Sequence, residues 1–357
     1  MNIVIVGMGE VGRHISRVLV REDHNVVIID YDPTALSSAE ETIDAMVLQG
    51  HAGNLKTLRQ ANVAEADLFI AVTDNSEANL LSAIRAKKEG AKKTIARVSE
   101  QAYFEEDRGM FAGMLDIDLV INPQALIALE MHKIVRSSNA VAVEDFADNR
   151  VEMVQLPIQD VTMAVNRPLR DVKLPENTLV AALIRDHKLI VPGGDDSILP
   201  GDEVLAVGRI DQIPKVEKLF KRERRKYTKR VIIIGGSQTG ATLAEALVND
   251  GIEVLLIEKD RDKCQELSES LPGVIILHGD GTDVHLLEEE RMDHTDAFVA
   301  VSGEDEVNLM ASLLARDLGA RRVVAMVHKP DYGPICERLG IDSFLSPRLE
   351  VAKQVLR

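Results

Sequence analysis

The text of residues 2–12, NIVIVGMGEVG, returns in altered form as VIIIGGSQTG at residues 231–240. An offset shared by several independent features is hard to produce by chance, and it sets the domain plan before any single motif is weighed. Gly7 pairs with Gly235, Gly12 with Gly240 and Asp30 with Glu258, each 228 positions apart. One inserted residue then moves the register to 229, which pairs Gly50 with Gly279, Asp67 with Asp296, Asn79 with Asn308 and Gly90 with Gly319. The segments ADLFIAVTDNSEANLLSAIRAKKEGAKK and TDAFVAVSGEDEVNLMASLLARDLGARR are two versions of one text.

Each copy alternates short β-branched runs with segments of helical periodicity. In the first, IVIV, NVVIID, AMVLQG, DLFIAV and KTIARV are separated by patterns such as VGRHISRVLV and ANLLSAIRA. Continuous apolar strands joined by helices predict βαβ units and a parallel, doubly wound sheet. A helical segment around Phe104 to Leu115, the strand-like DLVINP and the apolar helix QALIALEMHKIV follow. Copy two closes with IDSFLSP and RLEVAKQVLR, where Pro347 matches Pro123 at an offset of 224. Between the copies RVEMVQLPI, TLVAALIR and EVLAVGRI read as strands, with Pro and Gly breakers between them, and predict a small α+β domain. The expected boundaries are 1–140 for the first nucleotide-binding domain, 141–220 for the small domain, 221–230 for a basic linker and 231–357 for the second copy.

Composition narrows the function. With 45% hydrophobic and 28% charged residues the chain has an ordinary globular mixture. No apolar run approaches the roughly 20 residues of a membrane-spanning helix, and the amino end enters a strand at once, which points to the cytoplasm. Cys264 and Cys336 are too few for a disulfide framework and read as buried small hydrophobes. A net charge of −16 argues against a nucleic-acid partner. The run KRERRKYTKR, with seven basic residues in ten, is either a solvated linker or a contact for an acidic partner or lipid headgroups.

The loop Gly7, Met8, Gly9, Glu10, Val11, Gly12 follows a strand and opens a helix, and Asp30 ends the next strand 18 residues after the last glycine. Gly7 permits the tight turn, Gly9 lets the backbone approach a pyrophosphate and Gly12 lets helix and strand pack closely. The helix start faces the phosphates with unpaired amides. Asp30 suits ribose hydroxyls, favouring NAD or ATP over a 2′-phosphorylated cofactor. In copy two Gly235 and Gly240 remain, but Ser237 places a side chain where a pyrophosphate would approach, and Glu258 is one methylene longer than Asp30. A differently posed nucleotide and a purely structural role both stay open for that copy.

TDNSEAN, residues 73–79, predicts a helix start with Asp74 as cap and Glu77 closing a capping box, while Thr73 and Asn75 can line the nucleotide edge. Copy two carries Ser302 and Glu304 there. Arg97 ends the fifth strand, as a phosphate-binding cation or a surface ion-pair partner, and its counterpart is Met326. HGDGTDVH, residues 278–285, fits no standard metal spacing, and no metal site is expected. No nucleophile elbow, HExxH or Walker lysine occurs, and the small domain offers only His187, in a hairpin turn, as an acid–base group. A helix-turn-helix is likewise not evident.

GMGEVG with Asp30, QGHAGN, and AVTDNSEANLLSAIRAKKEGAKKTIARV, all repeated after a small domain, resemble the TrkA family, cytosolic regulatory subunits of Trk-type potassium uptake systems built from RCK (KTN) modules. The resemblance spans nearly the whole chain. It implies tandem Rossmann-like doubly wound sheets with a small α+β domain between them, and a nucleotide-sensing regulator rather than an enzyme. It implies NAD(H) or ATP/ADP as ligand, held by Gly7, Gly9 and Gly12 at the phosphates and Asp30 at the ribose. His51 and Ala52 would lie on the adenosine side, Thr73, Asn75 and Glu77 at the rim, and Arg97 at a phosphate. The implied partners are a membrane-embedded potassium-translocating subunit and further copies of the chain in a tetrameric ring on the inner face of the membrane. A complete two-module protein would carry a second small domain, and this sequence ends before one. The rival reading is an NAD-dependent oxidoreductase with duplicated Rossmann domains.

Overall fold

In a computed structural model that describes residues 1–100, 115–137, 140–146, 150–158, 162, 164–220 and 228–356, the apolar runs of copy one become parallel strands. The order is β1 (Asn2–Val6), α1 (Glu10–Arg21), β2 (Asn25–Asp30), α2 (Pro33–Glu40), β3 (Met46–Gln49), α3 (Leu55–Gln60), β4 (Leu68–Ala71), α4 (Ser76–Glu89), β5 (Lys93–Arg97), β6 (Leu119–Ile121) and α5 (Pro123–Arg136). The helix expected around Phe104 to Leu115 falls largely outside the described residues. The sheet runs β3-β2-β1-β4-β5-β6, so strand order reverses between β1 and β4, the place where such sheets open a ligand crevice. Ile3 to Val6 are all buried because helices cover both faces. Val11, Ile15 and Leu19 line one stripe of α1 and pack into the core with Ile3, Ile5 and Ile28. Register fixes the edge. Val6 pairs with Ile29 and with Ala71, and Ala71 pairs with Ala96. Gly7, Asp30, the loop after Ala71 and Arg97 therefore emerge at the same carboxyl ends.

The middle region forms β7 (Ala142–Phe146), β8 (Val151–Pro157), β9 (Thr178–Arg185), β10 (Lys188–Ile190), β11 (Glu203–Arg209) and α6 (Ile213–Leu219). They build an antiparallel sheet ordered β10-β9-β11-β8-β7. Sequence patterning predicts β8, β9 and β11. It misses β7, whose AVEDF text carries two acids, and β10, which has only three residues. Inward residues Val154, Leu156, Val204 and Ala206 pack with Val216 and Phe220. Of the basic run, residues 221–227 lie outside the described residues, while Arg230 opens copy two and pairs with Glu253 and Glu290, each at 3.2 Å.

Copy two repeats the order as β12 (Arg230–Ile234), α7 (Gln238–Asn249), β13 (Glu253–Glu258), α8 (Arg261–Ser270), β14 (Ile275–His278), α9 (Val284–Glu289), β15 (Ala297–Ala300), α10 (Asp305–Asp317), β16 (Val323–Met326), α11 (Gly333–Arg338), β17 (Ser343–Leu345) and α12 (Pro347–Leu356). Its sheet runs β14-β13-β12-β15-β16-β17, the first order again. Cys264 and Cys336 are buried, and burial raises both thiol pKa values, so neither is a poised nucleophile.

The chain divides into two compact units that do not follow the repeat boundary. One contains Met1–Ile127, Val327–Pro330 and Leu345–Arg357, and the other Ala128–Met326 and Asp331–Phe344. The first unit thus takes its last helix from copy two: α12 packs along α1, with Val351, Ala352 and Val355 in the core that holds Ile15 and Leu19. Fully burying a valine contributes about 1.5–3 kcal/mol, so this docking is anchored by side-chain burial. In the second unit the later turns of α5, from copy one, meet copy-two residues. His132 Nε2 lies 2.8 Å from Asp250, Thr228 donates to the Val135 carbonyl at 2.9 Å, and Arg322 donates to the carbonyls of Ile134 and Ser137 at 2.6 and 2.8 Å. Each copy lends the helix after its last strand to the other. Among the described residues no helix is long and apolar enough to cross a membrane.

Candidate functional site

The site grows from the turn after β1. Gly7 has φ +97°, a conformation side chains disfavour, and its amide donates to the Ile29 carbonyl at 2.9 Å. A Cβ on Gly12 would sit 1.8 Å from the Gly7 carbonyl oxygen, so helix and loop touch there. Met8 and Val11 are buried in the core and present only backbone to the crevice. Gly9 is the cap residue of α1 and provides no side-chain hydrogen bond to the helix start, and a Cβ there would meet nothing within 4 Å. No side chain caps the first turn of α1, and uncapped amides at a helix start can receive an anion.

Asp30 locks this loop to the next strand. One carboxylate oxygen accepts from the Met8 amide at 2.5 Å and the other from the Asp32 amide at 2.9 Å. A carboxylate offers about four acceptor positions, so ribose hydroxyls can join these bonds. Beyond it the Gly50 amide donates to the Asp30 carbonyl at 2.8 Å. The exposed His51 ring then stacks on Tyr31, with centroids 5.5 Å apart and planes 7° from parallel, and Ala52 is buried behind it. An exposed stacked pair of this kind offers a flat face on which a planar group can lie.

The loop after β4 differs from the sequence expectation at one residue. Asn75, not Asp74, caps α4: its side chain accepts from the Ala78 amide at 2.6 Å. The residue three beyond the cap is Ala78, so the Asp74–Glu77 capping box does not form; Asn75 has the extended backbone a cap requires. Glu77 is exposed on the first turn. Thr73 is held by Asn79, a buried side chain that the sequence reading used only as a register marker. Asn79 Oδ1 accepts from the Thr73 amide and hydroxyl at 3.0 and 2.6 Å, and its Nδ2 donates to the carbonyls of Thr73 and Arg97 at 3.0 and 2.9 Å. One amide thereby ties together the ends of β4 and β5. The signal for it was its identity with Asn308, the matching residue of copy two.

Arg97 is half-buried, and its Nε is a buried donor without a partner. Burial pushes its pKa down, the negative charge of Asp74 opposes that, Arg348 adds to it, and Glu100 opposes it. It remains a cation, since arginine keeps its proton in proteins. Carboxylates act on it, yet Nε still has an unused donor that a phosphate oxygen fits.

Copy two has the same frame and other contents. Gly235 has φ +99°, and a Cβ on Gly240 would fall 2.0 Å from the Gly235 carbonyl oxygen. Asn308 ties Ser302 to Met326 as Asn79 ties Thr73 to Arg97. Glu258 accepts from the Gly236 amide at 2.6 Å and the Asp260 amide at 2.9 Å. Ser237, however, turns its hydroxyl inward: it accepts from the Gly240 amide at 3.5 Å and donates to the Val301 carbonyl at 3.1 Å, capping α7. Lys259 and Glu304 form an ion pair at 3.2 Å at positions matching Tyr31 and Asn75. The acids of HGDGTDVH serve the backbone, with Asp280 accepting from Thr282 and Asp283 capping α9.

Comparison with known proteins agrees with this architecture. The family model for the TrkA-N domain matches residues 3–123 and again 231–347, and that for the TrkA-C domain matches 153–221. A relative described as "Trk system potassium uptake protein TrkA homolog", from Archaeoglobus fulgidus, is 37% identical over 349 residues, covering 98% of this chain and 78% of that protein. Among solved structures, the GsuK channel bound to NAD superposes with a TM-score of 0.73 at 18% identity, over 99% of this chain and 62% of that one. GsuK bound to ADP does so with a TM-score of 0.60 at 15% identity, over 99% and 68%.

Proposed function

This chain belongs to the TrkA family, and on that premise we propose that it is the nucleotide-sensing regulatory subunit of a potassium uptake system. The observation that carries the reading is the open start of α1: with Gly9 as cap, no side chain serves the first turn of copy one, whereas in copy two the Ser237 hydroxyl lies at the helix start and takes one of its amides, that of Gly240. The ligand is an adenine nucleotide, of the class that the GsuK structures hold as NAD and ADP. Gly7, Gly9 and Gly12 would shape the phosphate cradle, Asp30 would accept from the ribose, and Tyr31, His51 and Ala52 would flank the base. Thr73, Asn75 and Glu77 would form the rim, and Arg97 would reach a phosphate with its free Nε.

The proposed mechanism is differential binding. A ligand shifts a conformational equilibrium only by its difference in affinity between states, typically about 1–3 kcal/mol per site. The phosphate loop continues directly into α1, and α1 carries the exchanged helix α12, so a phosphate drawn to the loop acts on the element joining copy one to the end of copy two. Several such sites in a ring of identical chains would add their couplings and bias a membrane-embedded, potassium-translocating partner from its cytoplasmic side. The role is regulatory, not catalytic: His187, the acid–base group of the small domain, stands exposed at a hairpin tip with φ +60°. Hydride transfer needs such a group held against the nicotinamide.

Titration calorimetry with NAD, NADH, ATP and ADP tests the site. Asp30→Ala is expected to weaken the tightest of these by about tenfold or more, the value of a charge-assisted hydrogen-bond set. Unchanged affinity in that variant would overturn the ribose assignment, and steady oxidation of NADH with a carbonyl substrate would favour the oxidoreductase.

A further inference from the structure

The first unit contains a second arginine at the phosphate edge that no sequence motif indicates. Arg348 is the second residue of α12, in the segment of copy two that packs within this unit. Its Nη1 lies 3.7 Å from Glu10 Oε2, and Glu10 is the first residue of α1, next to Gly9. Arg348 and Glu10 are both exposed enough that the pair is screened and contributes little to stability. Its long separation leaves the guanidinium fork without close two-point contact to that carboxylate. The charge of Arg348 is also felt by Arg97, so the two cations flank one region although their residues stand 251 positions apart in the chain.

An unsatisfied donor lies at the same edge. Among the described residues, Arg97 Nε, at the end of β5, is buried without a partner. Leaving such a donor unpaired costs about 1–3 kcal/mol, which an anion arriving beside it recovers. Two arginines whose charges repel are drawn together when an anion lies between them, and a terminal phosphate, with more charge than a carboxylate and three terminal oxygens, can meet both forks.

We propose that Arg348 is a nucleotide-binding residue: with Arg97 it grips the distal phosphate of a nucleoside triphosphate in the first site, and Glu10 holds it in place until that phosphate displaces the carboxylate. This rests on the adenine-nucleotide reading above. It adds that the last helix of the chain completes the first site, so a ligand with a distal phosphate pulls on α12 and one without it does not. Glu10 then disfavours weakly charged ligands by occupying the arginine.

The test is calorimetric titration of the full chain with ATP, ADP and NAD, for wild type, Arg348→Gln, Arg348→Lys and Glu10→Gln, with thermal melting of each. Arg348→Gln is expected to weaken ATP about tenfold while changing NAD less than about threefold, as loss of one charge-assisted contact would. Arg348→Lys should recover part of the loss, and Glu10→Gln should tighten ATP about threefold by removing a competing, like-charged group. Equal losses for all three ligands in Arg348→Gln, or no loss for any, would overturn the role of Arg348 while leaving the site itself intact. Wild type binding none of the three would instead overturn the site and this inference with it. A fall in melting temperature without a shift in the ATP-to-NAD ratio would assign Arg348 to structure alone and so also reject it.

Discussion

Gly9 and Ser237 stand at the same step of two loops with the same turn, the same close helix contact and an acid bound to the loop, Asp30 in one and Glu258 in the other. At Gly9 the start of α1 has no side-chain cap, and at Ser237 a hydroxyl caps α7 from within the chain. The difference recurs around each loop. Where copy one has the Tyr31–His51 stack and Arg97, copy two has the Lys259–Glu304 pair and Met326, a buried apolar side chain. A duplicated frame can therefore keep its backbone constraints in both halves while one half retains polar groups for a ligand and the other satisfies them internally.

The largest expected effect tests the shared frame. Gly12→Ala and Gly240→Ala each force a Cβ against a backbone oxygen, and each should cost on the order of 3 kcal/mol in chemical denaturation. Unequal costs would break the equivalence of the two turns. Next, Asn79→Ala and Asn308→Ala remove buried amides that join two strand ends, with an expected loss of about 2 kcal/mol each. Only the Asn79 change should also weaken nucleotide binding, because only there does the tied loop border the proposed ligand. The smallest effect on folding and the sharpest on function come from exchanging the cap. Gly9→Ser meets no steric obstacle and should leave stability within about 1 kcal/mol, yet lower nucleotide affinity about tenfold by occupying the helix start. The reciprocal Ser237→Gly should cost a few tenths of a kcal/mol, about the difference between these caps, and leave calorimetric stoichiometry unchanged because the Lys259–Glu304 pair and Met326 remain.

Much of this was legible in the chain. The parallel strands followed from uninterrupted β-branched runs, and the phosphate turn from Gly7, Gly9 and Gly12 with Asp30 at the right distance. The cap at Asn75 was missed by one residue because Asp and Asn have similar cap propensities, and the backbone angle that decides between them is not a property of composition. Asn79 was visible as an identity between copies, but its four bonds depend on β4 and β5 lying side by side. Arg348 carried no local signal, being one basic residue near the end of the chain.

Sequence alone determined the duplication, the class of both sheets and the altered second loop, since these depend on local periodicity and on residues whose backbone demands are independent of context. The tertiary structure decided which helix each half keeps. An apolar stripe on α5 or α12 specifies that it must be buried, and burial free energy follows area, not the identity of the surface that covers it. Only the folded chain shows that the stripe of α12 is covered by the other half, which is what carries Arg348 to the edge where Glu10 and Arg97 lie.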